Sequence, residues 1–171
     1  MNYSLTRKVQ PPHRGTARSA GMDLFVPEFS DEYVNLLFRE NRMLQKNPLS
    51  SAGFQNGIAI PPHARVKIPM GLRVEVPYGY VLWVANKGSG SWDVTLTKLA
   101  EIIDEDYQGE IFITLHNYSD FPLSITQGQK LIQVICVPVK IEDWSLIPDE
   151  EIHLTTSQRG AGAMGSTSVH P

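Results

Sequence analysis

The run Gly57-Ile58-Ala59-Ile60-Pro61-Pro62-His63-Ala64-Arg65-Val66-Lys67-Ile68-Pro69-Met70-Gly71-Leu72-Arg73-Val74-Glu75-Val76-Pro77-Tyr78-Gly79-Tyr80-Val81-Leu82-Trp83-Val84 decides the fold class of this chain. Within it Gly57 to Ile60, Arg65 to Ile68, Leu72 to Val76 and Tyr80 to Val84 are short and rich in β-branched and aromatic residues, and Pro or Gly separates them. Such segments are too short for helices and alternate as half-buried strands do. Glu110 to Leu115 and Leu131 to Val139 continue the pattern toward the C-terminus. Regular strands with turn chemistry between them, and no alternating long helices, predict an all-β sandwich or jelly roll.

One segment departs from that rhythm. Ser30 is placed to cap a helix from Asp31 to about Lys46, with acidic residues in the first turn and Arg42 and Lys46 toward its end, as the helix dipole favours. Tyr33, Leu37 and Leu44 share one face of it. Pro48 and Gly53 close the segment, so 27–53 reads as a short helical insertion between the first and second strands, with surface packing as its simplest role. The β domain spans 1–142 around this insertion, and 143–171 forms a C-terminal arm. In the arm Trp144 is available to pin the chain, while Gln158 to Ser168 has almost nothing to bury.

Composition limits the function classes. A chain of 171 residues with 42% apolar and 19% charged content suits one domain with a sizeable core. A formal net charge of −3 and the lack of a Lys/Arg block argue against nucleic acid and anionic membranes as partners, though local donors can still hold a small anion. No run approaches the roughly 20 apolar residues of a membrane span, and the N-terminus lacks the apolar core of a secretion signal. The single cysteine, Cys136, reads as a buried strand residue and allows no internal disulfide, which fits a reducing, cytoplasmic setting. His13, His63, His116, His153 and His170 show no paired metal-ligand spacing.

Two stretches carry chemistry. Leu99-Ala100-Glu101-Ile102-Ile103-Asp104-Glu105-Asp106-Tyr107-Gln108-Gly109-Glu110 reads as a β-hairpin whose tip holds an ionised Asp beside an aromatic face, a device able to activate water as readily as to form an acidic turn. Arg159-Gly160-Ala161-Gly162-Ala163-Met164-Gly165-Ser166-Thr167 combines a forked cation, glycines and hydroxyls, which suits either a flexible tail or a loop closing over phosphate.

Taken in order, Ala20-Gly21-Met22-Asp23-Leu24, Asn86-Lys87-Gly88-Ser89, Ile103 to Glu110, Gly128-Gln129-Lys130-Leu131-Ile132-Gln133 and Arg159 to Thr167 resemble the five motifs of trimeric dUTPases. Any one is weak, whereas five in order across residues 20 to 168 are specific. The resemblance implies a dUTPase-type jelly-roll homotrimer with active sites between subunits, Mg²⁺ as cofactor, and cleavage of dUTP to dUMP and pyrophosphate by water attack on the α-phosphorus. Asp104 would be the general base. Tyr107 would lie under the deoxyribose and reject a 2′-hydroxyl. Backbone groups from Leu99 through Ile103 to Tyr107 would read uracil. Asp23 would meet the metal through water. Lys87, Gly88, Ser89, Gln133 and Arg159 would hold phosphate, and Met164, Gly165 and Ser166 would close over the nucleotide. Asp106 would brace the hairpin.

Two departures from the family pattern stand out. Lys87 is followed by Gly88-Ser89 where the family has Arg or Lys, then Ser, then Gly, so either the Ser and Gly have exchanged places or Gly88 is inserted, and Lys87 supplies a point charge instead of a bidentate fork. Met164 stands where a Phe normally covers the base, which offers less area and no π-face. Together with the insertion these fit a divergent lineage such as a phage enzyme. Two alternatives share the fold. A dCTP deaminase needs a general-base Glu where this chain has Thr114, and no Cys/His cluster supports a zinc deaminase. A catalytically impaired regulatory protein would explain the altered second and fifth motifs, but not the joint presence of Asp23, Asp104, Tyr107, Gln133 and Arg159.

Overall fold

The computed structural model describes residues 1–46, 57–87, 96–155, 157, 160 and 161. Among them the chain is mostly short strand, as expected: β1 (Asn2–Leu5), β2 (Met22–Phe25), β3 (Gly57–Ile60), β4 (Arg65–Pro69), β5 (Leu72–Glu75), β6 (Tyr80–Asn86), β7 (Leu96–Lys98), β8 (Ile102–Ile103), β9 (Phe112–Asn117), β10 (Leu123–Thr126) and β11 (Lys130–Pro138). Helices α1 (Asp31–Glu40) and α2 (Arg42–Lys46) fall between β2 and β3, and one 3-10 turn covers Asp149–Glu151. The chain divides into two compact units, Met1–Lys140 and Ile141–Pro171.

All the strand pairings are antiparallel. One sheet runs β2-β11-β6-β8, another β4-β9-β7, and β1-β5 and β10-β3 form two-stranded ribbons. The core of the first unit is aliphatic and takes residues from every sheet, including Leu24, Leu82, Val84 and Ile132 from the first and Val66, Ile68, Ile113 and Leu115 from the second. Alternation holds along β9, where Ile113, Leu115 and Asn117 are buried and their neighbours are not. On β11 Ile132 and Val134 point into the core, but Cys136 on the same face is exposed. The strand runs past the edge of the core, so an apolar sequence there does not mean burial, contrary to the expectation for Cys136.

The insertion starts as anticipated. Ser30 is extended (φ −69°, ψ 157°) and its side chain accepts a hydrogen bond from the Tyr33 N–H at 3.3 Å, capping α1. The helix does not continue to Lys46, because it breaks at Asn41, where the chain leaves helical geometry (φ −123°, ψ 87°). Surface packing also understates its role, since Tyr33, Leu37 and Leu44 are each at most 1% exposed and belong to the main core. The break is functional for the fold. Asn41 Nδ2 donates to Leu37 O at 2.8 Å and Lys67 O at 2.9 Å, and its Oδ1 accepts from Lys67 N at 2.6 Å. An amide that satisfies both main-chain groups of Lys67 imitates a neighbouring strand and covers the outer edge of β4, the end of its sheet.

The hairpin expected around Asp104 is present, with β7 and β9 paired antiparallel at its base, but its connection makes an excursion to the first sheet. β8 pairs with β6 (Ile103 opposite Leu82), whereas β7 and β9 pair with each other in the second sheet. The stretch from Lys98 to Phe112 therefore crosses from one sheet to the other and back, with Asp104 to Tyr107 as a turn closed by Tyr107 N donating to Asp104 O at 3.2 Å. In the second unit Trp144 is 95% exposed.

Candidate active site

Antiparallel register in the β2-β11-β6-β8 sheet gathers residues far apart in sequence. Gln133 on β11 stands opposite Asp23 on one side and Ala85 on the other. Lys87 follows the end of β6, and its Nζ forms an ion pair with Asp23 Oδ1. Lys130 Nζ approaches Asp23 Oδ2 at 3.4 Å from the start of β11. Burial works to raise the pKa of Asp23, but the Lys87 hydrogen bond and the charges of Lys87 and Lys130 outweigh it and hold the carboxyl below its usual value. The main chain of Asp23 is fixed by paired bonds with His13, at 3.1 and 2.8 Å. Gly21 leaves room beside it for the Gln133 amide, since a Cβ there would lie 2.5 Å from Gln133 Oε1 and displace that side chain. Gln133 Nε2 donates to Asn86 O at 3.1 Å.

The second part of the site is a cleft of about 200 Å³ walled by Val84, Ile102, Ile103 and Ile111, with Asp104 and Tyr107 in its lining. Asp104 is exposed. Tyr107 donates its phenol O–H to Glu110 O at 2.9 Å, and its ring covers Gly109, where a Cβ would meet Tyr107 atoms at 2.4 to 3.0 Å. The turn is braced by Glu105, whose carboxylate accepts the Gly79 N–H; Asp106 does not take that role. Leu99 lies outside the cleft lining, and its N–H is already given to Thr114 O at 2.9 Å. An apolar cleft with one carboxylate at its rim suits a flat, weakly polar ring next to a reacting group.

The two parts do not meet within one copy. Asp23 aligns with Ala85 on β6 and Asp104 with the neighbourhood of Val81, with three strand spacings between β2 and β8. At about 4.8 Å per strand and about 3.3 Å per residue this is on the order of 20 Å, too far for both to reach one phosphate group. The register thus brings Asp23, Lys87 and Gln133 together, and Ile103, Asp104 and Tyr107 together, in separate places. Gly88, Ser89, Arg159, Met164, Gly165 and Ser166 lie outside the described residues. Lys130 and Glu105 are the contributors that sequence reasoning missed; Lys130 was within a quoted motif, but only pairing with β2 reveals its partner. Among the described residues no three His, Cys, Asp or Glu side chains cluster as a metal site.

The comparisons with known proteins agree with these motifs. The dUTPase family model matches residues 39–168. The deoxyuridine 5′-triphosphate nucleotidohydrolase of Chlamydia trachomatis serovar D is 31% identical over 118 residues, 68% of this chain and 79% of that protein. The Anaplasma marginale protein of the same name is 24% identical over 161 residues, 92% and 88% of the two chains. Among solved structures, the Staphylococcus bacteriophage 80alpha dUTPase with dUpNHpp has the same fold, with a TM-score of 0.74 and 18% identity over 98% of both chains. The dUTPase of phage phi11 of S. aureus reaches a TM-score of 0.65 at 17% identity, over 85% of this chain and 94% of that one. With a family model spanning most of its length and relatives above 30% identity, the chain belongs to the dUTPase family.

Proposed function

We propose that this dUTP diphosphatase works by attack of water on the α-phosphorus of dUTP, at a site built where copies of the chain meet in a homotrimer. The carrying observation is the division of labour in the fold: an apolar cleft with Asp104 and Tyr107 in one place, and a cationic and amide cluster of Lys87, Lys130 and Gln133 roughly 20 Å away, three strands across. The first suits a nucleoside and the second a polyphosphate. A neighbouring copy that presents its cluster to this cleft supplies what one chain lacks.

In this arrangement Asp104 takes a proton from the water as its oxygen bonds to the α-phosphorus, and the bond to the bridging oxygen breaks to release pyrophosphate. A positioned carboxylate contributes about 10²–10⁴-fold in such a step. Tyr107 packs against the sugar. Lys87 leaves Asp23 for phosphate oxygens, Gln133 adds an amide N–H, and Arg159 with Met164, Gly165 and Ser166 closes the site from the arm. Gly88 and Ser89 add donors beside Lys87.

The donor set at Asp23 decides how Mg²⁺ fits. One carboxylate already paired with two lysines makes no cage for a bare ion, but it suits an ion that arrives on the triphosphate and keeps its waters. A phage phi11 dUTPase mutant has been solved with a structural Mg(II) ion. Bound there, Mg²⁺ would neutralise phosphate charge and orient the leaving pyrophosphate. No described helix is long and apolar enough to cross a membrane, and we place the activity in the cytoplasm.

Pyrophosphate release from dUTP, dCTP, dTTP and UTP, each with and without Mg²⁺, tests the reading. Release from dUTP alone, dependent on Mg²⁺, is expected. Ammonia release from dCTP would point to deamination instead, and no turnover of any nucleotide would overturn the enzymatic role.

A further inference from the structure

Tyr107 is held from behind by residues that never reach the cleft. Its phenol donates to the main-chain carbonyl of Glu110, and the Glu110 side chain points the other way, into a part-buried cluster. There its Oε1 accepts from Arg7 Nε at 2.8 Å and from Gly71 N at 2.9 Å, and its Oε2 accepts from Arg7 Nη2 at 3.0 Å. Both side chains of the ion pair are 20% exposed. A forked arginine on a carboxylate fixes direction as well as distance.

Arg7 is itself fixed. Its guanidinium carbon lies 5.4 Å from the ring centroid of Tyr33, a core residue of α1, whose hydroxyl donates to Pro69 O at 2.7 Å. Gly71 lies beside Arg7 with φ +75°, and a Cβ there would stand 3.0 Å from Val9 Cγ1, 3.2 Å from Pro27 Cγ and 3.3 Å from Arg7 Cβ, so a larger residue would be strained and crowded. The next residue, Ile111, is buried and bonded on both main-chain groups across Gly71, its N–H to Leu72 O and its carbonyl from Met70 N, each at 2.8 Å. Residue 110 is thus clamped on its side chain and on the following peptide. The Glu110 carbonyl that the phenol holds belongs to the same planar peptide as the Ile111 N–H, so the Leu72 bond and the Arg7 fork hold it from its two ends.

We infer that Arg7 and Glu110 are positioning residues for Tyr107, and that through it they set how strictly the enzyme prefers a 2′-deoxyribose to a ribose. The inference rests on the proposed placement of Tyr107 against the sugar. A tyrosine that excludes one hydroxyl must be located to a fraction of an ångström, and its own 38% exposure offers little packing to do so. The carbonyl of residue 110 supplies that location, and the Arg7 fork keeps the carbonyl still.

The test measures kcat and KM for dUTP and UTP in wild type, Arg7→Met, Arg7→Lys, Tyr107→Phe and the Arg7→Met/Tyr107→Phe double variant, with thermal unfolding of each. Arg7→Met should lower the dUTP-over-UTP ratio of kcat/KM by roughly tenfold, within the ~10²-fold that a 1 Å misplacement costs, and should act mainly on KM. Arg7→Lys keeps charge without the fork and should fall between. Because both act through one phenol, the double variant should be no less selective than Tyr107→Phe alone. Equal selectivity in wild type and in both Arg7 variants overturns the inference, as do additive losses in the double variant. If Arg7→Met does not fold, Arg7→Lys alone decides. A wild type that does not hydrolyse dUTP defeats the proposed function as a whole, while an active wild type with Arg7-independent selectivity defeats only this inference.

Discussion

Replacing Gly109 by alanine isolates the position of Tyr107 from the stability of the fold. A Cβ at residue 109 would lie 2.4 Å from Tyr107 Oη, 2.6 Å from Cζ and 3.0 Å from Cε2. Ordinary contact needs about 3.5 Å, so the ring must retreat by about 1 Å. The three atoms nearest the new methyl group all belong to that ring, and Gly109 does not occupy the left-handed region. The ring is partly exposed and can swing outward, breaking its bond to Glu110 O. The cost of that bond, about 1 kcal/mol, is offset by the ~0.4–1 kcal/mol that Gly→Ala gains by restricting the unfolded chain. Unfolding should therefore barely change. Catalysis should not escape, because a 1 Å displacement of a group in contact with substrate costs up to about 10²-fold. We expect kcat/KM for dUTP to fall by about 10- to 100-fold, with most of the change in KM and a parallel loss of discrimination against UTP. Pyrophosphate release under steady-state conditions, beside a thermal melt at fixed protein concentration, provides both readouts. Wild-type kinetics in a folded Gly109→Ala variant would falsify the role assigned to Tyr107, and a drop in stability of several kcal/mol would show that the ring cannot move as described.

Other substitutions probe the rest of the molecule. Asp104→Asn should keep the fold and lower turnover at least about a hundredfold, the lower range for loss of a general base; near-normal kcat would remove Asp104 from that role. Asn41→Ala deletes three hydrogen bonds, and at about 0.5–1.5 kcal/mol each should cost about 2–4 kcal/mol, or roughly 5–15 °C in Tm. A loss under about 1 kcal/mol would mean that the outer edge of β4 does not need its cover. The lowered pKa of Asp23 has a definite sign: its ion pairs add stability above the unfolded value of 3.8, and that stability is lost as pH falls through the lower folded value. Urea titrations across this range should show a shallower acid dependence for Asp23→Asn than for wild type, and identical slopes would contradict the pairing with Lys87 and Lys130.

What the sequence discloses here follows the range of the physics involved. The α1 cap at Ser30 and the buried face of Tyr33 and Leu37 are local, written in spacing and in one hydroxyl, and the structure keeps them. The strand content is equally local. Pairing is not: Ile102-Ile103 has the composition of a strand, but nothing nearby says that its partner is Leu82-Trp83 instead of the segment after Tyr107. That is why the hairpin is legible in the sequence while the excursion of its connection to the first sheet is not. β1 carries only Tyr3 and Leu5 as apolar residues and stays exposed, so its pairing with β5 leaves no mark on the sequence pattern. Within the site, Asp23, Asp104, Tyr107 and Gln133 stand out by motif, whereas Arg7 meets Glu110 across 103 positions and has no local signature. Cys136 fails for a further reason, since alternation predicts which side a residue faces but not whether the core extends that far.

The turn that carries Asp104 and Tyr107 leaves one sheet at β8 and joins the other at β9, so it straddles the seam between them. Its shape accordingly records the separation of those sheets much as a strap records the gap it spans. With Asp104 in the role proposed for it, a change in the bulk of an interior residue such as Leu82, which pairs with Ile103, or Ile113 of the facing sheet should shift that carboxylate by altering the gap. On the proposed mechanism, the aliphatic interior then serves as the gauge for the position of Asp104.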